Sequence, residues 1–145
     1  MTDLDDPIDP PPGWQRDHVA RYIASDGTDG HQWRDGVPTL LLTTIGRRSG
    51  KARRTPLIYG RDGDRYLVVA SKGGSDEPPL WYRNLSADSR VRLQVGAQRF
   101  DAVAHTASGE EKARLWPVMT AIWPDYDVYQ TRTSRDIPVV VLTPA

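Results

Sequence analysis

Apolar residues in the middle of the chain fall in short, β-branched runs rather than in a helical stripe. Thr39 to Ile45, Thr55 to Tyr59 and Tyr66 to Ala70 are three of them. The third is apolar almost throughout, as a strand buried on both faces requires. Arg61-Asp62-Gly63-Asp64 separates the second run from the third, and its Asp-Gly pair tolerates positive φ, so a tight hairpin is expected there. These runs read as a three-stranded meander. Arg90 to Val95 and Phe100 to His105 add two strands across a Gly96-Ala97 turn, and Ile137 to Leu142 brings the expected total to six.

Helical spacing appears between the runs. Trp14 to Ala24 places Trp14, Val19, Tyr22 and Ile23 on one broad face, which predicts a short amphipathic helix lying on the domain or on a membrane surface. Pro78-Pro79 suits a first helical turn, and that helix runs to about Ala87 with Leu80, Trp81, Asn84 and Leu85 near one face. Ser108-x-x-Glu111 has the form of a capping box and opens a helix to about Ile122, ahead of a break at Pro124-x-Tyr126. Residues 25–37 are rich in Asp-Gly pairs and read as loop. Residues 1–13 carry Asp3, Asp5, Asp6 and Asp9, end in Pro10-Pro11-Pro12-Gly13, and read as a mobile tail. The expected organisation is a tail over 1–13, a helix and loop over 14–37, and a barrel over 38–145. With no βαβ rhythm, the fold class is α+β: a mostly antiparallel barrel with peripheral helices.

Charge changes the picture locally. Nineteen bases balance nineteen acids over 145 residues, so the net field gives no pull toward nucleic acid. Within residues 46–54, however, Arg47, Arg48, Lys51, Arg53 and Arg54 stand with no acid among them, on a turn between two strand-like runs. Five like charges so placed are either a solvated hairpin tip or, as we read them, the clamp of a multiply charged anion. The chain has no cysteine, which excludes disulfides, thiolate metal sites and a cysteine nucleophile. No apolar stretch approaches the roughly 20 residues that cross a bilayer, and no signal-peptide core follows Met1. A cytoplasmic protein is expected, with Trp14 and its helix as the candidate for peripheral membrane contact.

Several familiar chemistries fail on inspection. His18, His31 and His105 lie in a helix, a loop and a strand without ligand spacing, so no metal is expected. Gly46 to Ala52 resembles a phosphate loop but is one residue short and has alanine where the magnesium-binding hydroxyl belongs. No dinucleotide fingerprint follows a first strand. What remains is the basic turn, the glycine loop Ala70-Ser71-Lys72-Gly73-Gly74, and the aromatics Trp81, Trp116, Trp123, Tyr126 and Tyr129. Trp81 and Trp116 also suit a helix core. Tyr126 and Tyr129 follow a proline break, where side chains turn into a cleft or into the core.

Taken in order, these motifs resemble a known family. Leu40-Leu-Leu-Thr-Thr-Ile-Gly46-Arg-Arg-Ser-Gly50, Arg53-Arg-Thr-Pro56-Leu57, Asp62-Gly63-Asp64, Ala70-Ser-Lys-Gly-Gly74 and Pro79-Leu-Trp81-Tyr-Arg-Asn84-Leu85 are similar to those of the deazaflavin-dependent nitroreductases. These are actinobacterial oxidoreductases that use the deazaflavin coenzyme F-420. The likeness covers about residues 38–144 and leaves the first 37 outside. It implies a split β-barrel of the flavin-binding type. It also implies hydride transfer from the reduced coenzyme to a small-molecule acceptor: a quinone, enone or nitro compound. The coenzyme's phosphodiester and oligoglutamate tail would supply the missing anion. By correspondence, Arg47, Arg48, Ser49, Arg53 and Arg54 hold phosphate and tail, while Thr55, Pro56 and Ile58 line the ring. Ala70, Ser71 and Lys72 meet the ring and its ribityl arm, and Trp81 and Asn84 close the pocket. Tyr126 also binds the coenzyme, covering its outer face where the substrate lies, and Ile58, Tyr126 and Tyr129 face the substrate. Ser71 or Tyr126 would stabilise or protonate the anion formed. Two positions depart from the family. Arg48 replaces a common lysine, and Ile58 stands where relatives that activate nitroimidazoles can carry an aromatic. A non-catalytic carrier of deazaflavin or lipid on the same barrel is the alternative function.

Overall fold

Residues 3–145 are described by a computed structural model. Along the chain, helix α1 (Trp14–Ala24) precedes strands β1 (Thr39–Ile45), β2 (Ala52–Ile58), β3 (Gly60–Asp62) and β4 (Arg65–Val69). Helix α2 (Leu80–Ala87), strands β5 (Arg90–Val95) and β6 (Gln98–Thr106), helices α3 (Gly109–Ile122) and α4 (Asp125–Thr131) and strand β7 (Val139–Pro144) follow. The seven strands make one curled sheet, β2-β1-β5-β6-β7-β4-β3, with every ladder antiparallel. It is the α+β half-barrel expected, with β3 as a seventh strand.

The expected meander does not form. β1 lies between β2 and β5, whereas β4 lies between β7 and β3. β4 is paired at both edges, with β3 on one side and β7 on the other, the latter from Tyr66↔Leu142 to Val69↔Val139. Period-2 alternation then divides the strands between two cores. Leu40, Leu42, Tyr66, Val68, Val140 and Leu142 point into the barrel with Leu85 of α2. Leu67, Val69, Val139 and Val141 point out, against Leu115 and Met119 of α3 and Tyr126 of α4. Leu41, also outward, is covered by Val19 and Tyr22 of α1. Fully burying each such side chain contributes about 1.5–3 kcal/mol. Coverage of both faces is why these runs read as continuously apolar.

Two local expectations are corrected. Ser108 makes no side-chain cap to α3: the Glu111 N–H donates to the Ser108 carbonyl at 3.1 Å instead, and the Glu111 carboxylate, which would complete the box, lies 2.9 Å from His105 and 3.6 Å from Arg65. The break after Pro124 is a seven-residue helix, α4, tied to α3 by the Trp116 indole N–H donating to Asp127 at 2.8 Å.

Of the segment read as a mobile tail, residues 1 and 2 lie outside the described residues, and the rest is docked. β2 is the outer strand of its end of the sheet, and its free backbone groups pair with the amino-terminal segment. The Ile8 N–H donates to the Ala52 carbonyl at 2.8 Å, and the Arg54 N–H donates to the Ile8 carbonyl at 2.9 Å. Leu4 is buried, and Asp5 and Asp9 reach Arg92 at 2.6 Å and Arg54 at 2.7 Å. Three of the four acids that suggested a solvated tail, Asp3, Asp5 and Asp9, are counter-charges for the strand arginines Arg90, Arg92 and Arg54. No helix among the described residues is long and apolar enough to cross a membrane.

Candidate active site

A cleft of about 580 Å³ opens between β2, the loop after β4, the start of α2, helix α4 and the amino-terminal segment. Arg53, Arg54, Thr55, Pro56, Leu57 and Ile58 of β2 line it in sequence. Pro56 is tolerated there because β2 is an outer strand, where one ladder donor can be missing.

Before β2, the basic turn is closed by its own backbone. The Gly46 N–H donates to Lys51 and the Gly50 N–H to Gly46, both at 2.8 Å. A side chain at Gly46 would meet the Ser49 hydroxyl at 2.7 Å, so glycine is what lets the turn fold this tightly. Asn84 of α2 anchors the turn. Its carbonyl accepts from the Arg47 N–H at 3.1 Å, and its amide donates to the Thr44 hydroxyl at 3.2 Å. Arg47, Arg48, Ser49 and Lys51 are exposed and outside the cleft lining, whereas Arg53 and Arg54 belong to it. Among the described residues Arg47, Arg48, Lys51 and Arg53 have no ion-pair partner, while Arg54 has Asp9.

After β4 the chain turns through Lys72, Gly73 and Gly74, all at positive φ. A side chain on Gly74 would meet the Tyr129 carbonyl at 2.6 Å, so the loop can press against α4 only as glycine. Arg135 holds the loop from beneath. Its guanidinium donates to the carbonyls of Ser75 at 2.7 Å, Ser71 at 2.8 Å and Ala70 at 3.2 Å. Ala70 is fully buried and outside the cleft lining; Ser71 and Lys72 line it. The Ser71 hydroxyl has no protein partner among the described residues and is not sealed from solvent.

Trp81 and Asn84 line the cleft from α2, and Trp123, Tyr126 and Tyr129 from the α4 side. Tyr129 accepts from the Trp123 indole N–H at 3.3 Å. Tyr126 is 5% exposed, and its hydroxyl has no protein partner among the described residues. Burial, with Tyr129 adding to it, pushes its phenol well above the ordinary tyrosine range, so it is a hydrogen-bond donor at any physiological pH.

Sequence reasoning missed the amino-terminal wall. Ile8, Asp9, Pro10, Pro11, Trp14, Gln15, His18 and Trp33 all line the cleft. Trp14 stacks on Trp33 at 5.5 Å between ring centroids, and Trp33 packs on Trp123 at 5.6 Å. The available signal was two tryptophans in otherwise polar surroundings. His18 is 2% exposed, with Nε2 2.8 Å from the Gly30 carbonyl oxygen. Burial lowers its pKa against the upward pull of that carbonyl. The other histidines are elsewhere: His31 lies 2.8 Å from the Tyr59 hydroxyl, and His105 pairs with Glu111.

The sequence profile of a family described as F420H(2)-dependent quinone reductase matches residues 14–144. An F420H(2)-dependent quinone reductase of Mycobacterium tuberculosis is 45% identical over 129 residues, covering 87% of each chain. Among solved structures, one described as a domain-swapped dimer superposes with a TM-score of 0.72 at 35% identity, over 87% of this chain and 92% of that one. The structure of an F420-H2 dependent reductase superposes at 0.68 and 40% identity, over 72% of this chain and 93% of that one.

Proposed function

The chain belongs to the F420H(2)-dependent quinone reductase family, and from that premise we propose that it reduces a quinone bound in the cleft with coenzyme F-420. The observation that carries the reading is one cleft in which β2 arginines, a glycine loop and an unpartnered tyrosine hydroxyl converge. Its chemistry suits the coenzyme. Paired guanidinium groups match phosphate and carboxylates, and the flat apolar wall of Pro56, Ile58 and Trp81 matches a ring.

When bound, the reduced deazaflavin supplies a hydride. The protein binds, orients and stabilises. Arg53 and Arg54 hold the phosphodiester, and Arg47, Arg48 and Ser49 on the adjoining turn receive the glutamate tail. Thr55, Pro56 and Ile58 form one wall of the ring site, and Ser71 and Lys72 the other, with Ala70 fixing the loop beneath them. Trp81 and Asn84 close the end nearest the turn. The acceptor lies between Ile58, Tyr126 and Tyr129. A quinone that gains a hydride carries an extra negative charge until a proton arrives. The Tyr126 phenol and the Ser71 hydroxyl are the donors available to it.

The test is a fluorescence titration with coenzyme F-420 at low and moderate salt, with flavin mononucleotide alongside, followed by anaerobic reduction of a naphthoquinone. Salt-sensitive binding of the deazaflavin alone, with quinone turnover, is expected. Preference for the flavin, or binding without turnover of any acceptor, would sink the assignment; the latter outcome is the behaviour of a carrier.

A further inference from the structure

We propose that His18 is a ligand contact at which the cleft prefers a ring hydroxyl, that of a quinol, over a quinone carbonyl; the inference rests on the quinone reductase reading above. Trp14, Gln15 and His18 occupy one face of α1 at helical spacing, and all three line the cleft. The tautomer of His18 follows from its partner. A carbonyl oxygen only accepts, so the Nε2 that lies 2.8 Å from the Gly30 carbonyl carries the ring proton. The Thr39 hydroxyl, 3.2 Å from the same nitrogen, donates to that carbonyl too. In the neutral ring Nδ1 is then a bare acceptor.

Among the described residues no group bonds to Nδ1, yet no buried side-chain nitrogen or oxygen is left unpartnered. Nδ1 therefore keeps an opening, and the cavity that His18 lines is the cleft. The ring is otherwise almost wholly enclosed, at 2% exposure. Burial favours the neutral form, which keeps the lone pair available. The place is apt as well. Thr39 stands opposite Ile58 in the β1–β2 ladder, and Ile58 is in the cleft wall where the acceptor is placed.

An in-plane nitrogen lone pair repels a quinone oxygen, which offers only lone pairs of its own, and accepts from the hydroxyl that replaces it on reduction. One hydrogen bond of this kind corresponds to about a fivefold preference. It would act as a specificity determinant toward hydroxylated rings and would slow release of product.

The experiment is anaerobic calorimetric titration with 1,4-dihydroxynaphthalene and 1,4-dimethoxynaphthalene, on the wild-type chain and on His18→Gln. Glutamine retains a donor for the Gly30 carbonyl but has no acceptor at the Nδ1 position. The wild type should bind the diol about fivefold more tightly than the diether, and His18→Gln should bind the two alike at an unchanged melting temperature. An independent reading comes from the ¹⁵N resonance of Nδ1 in the wild type, which the diol should move and the diether should not. Equal binding by the wild type, binding of neither compound, a preference that survives in His18→Gln, or an Nδ1 resonance indifferent to the diol would each overturn the inference. If the same protein still binds coenzyme F-420 and reduces a naphthoquinone, only the role of His18 falls; if it does neither, the reading beneath it falls too.

Discussion

The carboxylate of Asp9 lies 2.7 Å from Nε of Arg54, so the amino-terminal segment supplies the counter-charge to one of the arginines that line the cleft. The pair is partly solvated, with side-chain exposures of 31% and 21%. Its attraction is therefore modest, about 0–1 kcal/mol. An anionic cofactor held by Arg54, as proposed above, would compete with Asp9 for the same guanidinium. Asp9→Asn should tighten coenzyme F-420 up to about fivefold at low salt, with the gain shrinking as salt screens the pair. Weaker binding in the variant would mean that Asp9 orients Arg54 for the cofactor rather than competing with it.

Arg53 has no ion pair among the described residues, Arg54 shares its charge with Asp9, and both belong to the cleft lining. Replacing both with alanine should weaken coenzyme binding by about tenfold or more and flatten its dependence on salt, because charge-assisted contacts carry both effects. Titration at several ionic strengths separates the two. Unchanged affinity would move the anion clamp out to Arg47, Arg48 and Lys51 on the exposed turn.

The sequence was most readable where structure is set by local pattern. The expected bounds of α1, β1 and β5 agree with those observed, Trp14–Ala24, Thr39–Ile45 and Arg90–Val95, because apolar runs end there at turn-forming residues. Pairing order was not readable, since β4 takes β7 as its partner from some 70 residues away along the chain. Docking of Ile8 on β2 depends on backbone groups that composition does not record. α4 is short, and its place is set by contacts with α3 and the glycine loop rather than by helix propensity. At the site, the β2 residues, Ser71, Lys72, Trp81, Asn84, Tyr126 and Tyr129 do meet in one cleft. Arg47, Arg48, Ser49 and Ala70 stand outside its lining. His18 was passed over because a lone histidine in a helix carries no pattern.

Arg135 is the support of the glycine loop, with three hydrogen bonds to the carbonyls of Ala70, Ser71 and Ser75. Arg135→Ala leaves those acceptors without a charged donor and should cost about 2–4 kcal/mol in urea unfolding. Arg135→Lys should recover less than half of the loss, because a single ammonium cannot span the three carbonyls as the planar fork does. The alanine variant should also lose turnover more than coenzyme affinity, since Ser71 shifts while Arg53 and Arg54 do not. Full recovery by lysine would show that charge, not the fork, supports the loop.

Tyr126 joins the chemistry of the cleft to the pH dependence of the fold. Its hydroxyl has no protein partner among the described residues, and burial holds its pKa above the ordinary tyrosine range. The phenol thus stays protonated in the folded chain, and quinone reduction should show no basic limb from it below about pH 10. Tyr126→Phe should lower kcat by about tenfold or more while coenzyme binding is retained, because the lost donor acts on charge that develops during reduction. The same burial has a consequence for stability. In the unfolded chain the tyrosine ionises near its ordinary value of about 10, while in the folded chain it resists ionisation, so unfolding gains as pH rises through that value. Burial raises Tyr22 and Tyr59 in the same direction. Urea unfolding followed between pH 8 and 11 should therefore show stability that is level at first and falls above about pH 10, with a shallower fall in Tyr126→Phe. A fall of equal steepness in the variant would show that Tyr22 and Tyr59 carry the alkaline sensitivity without Tyr126.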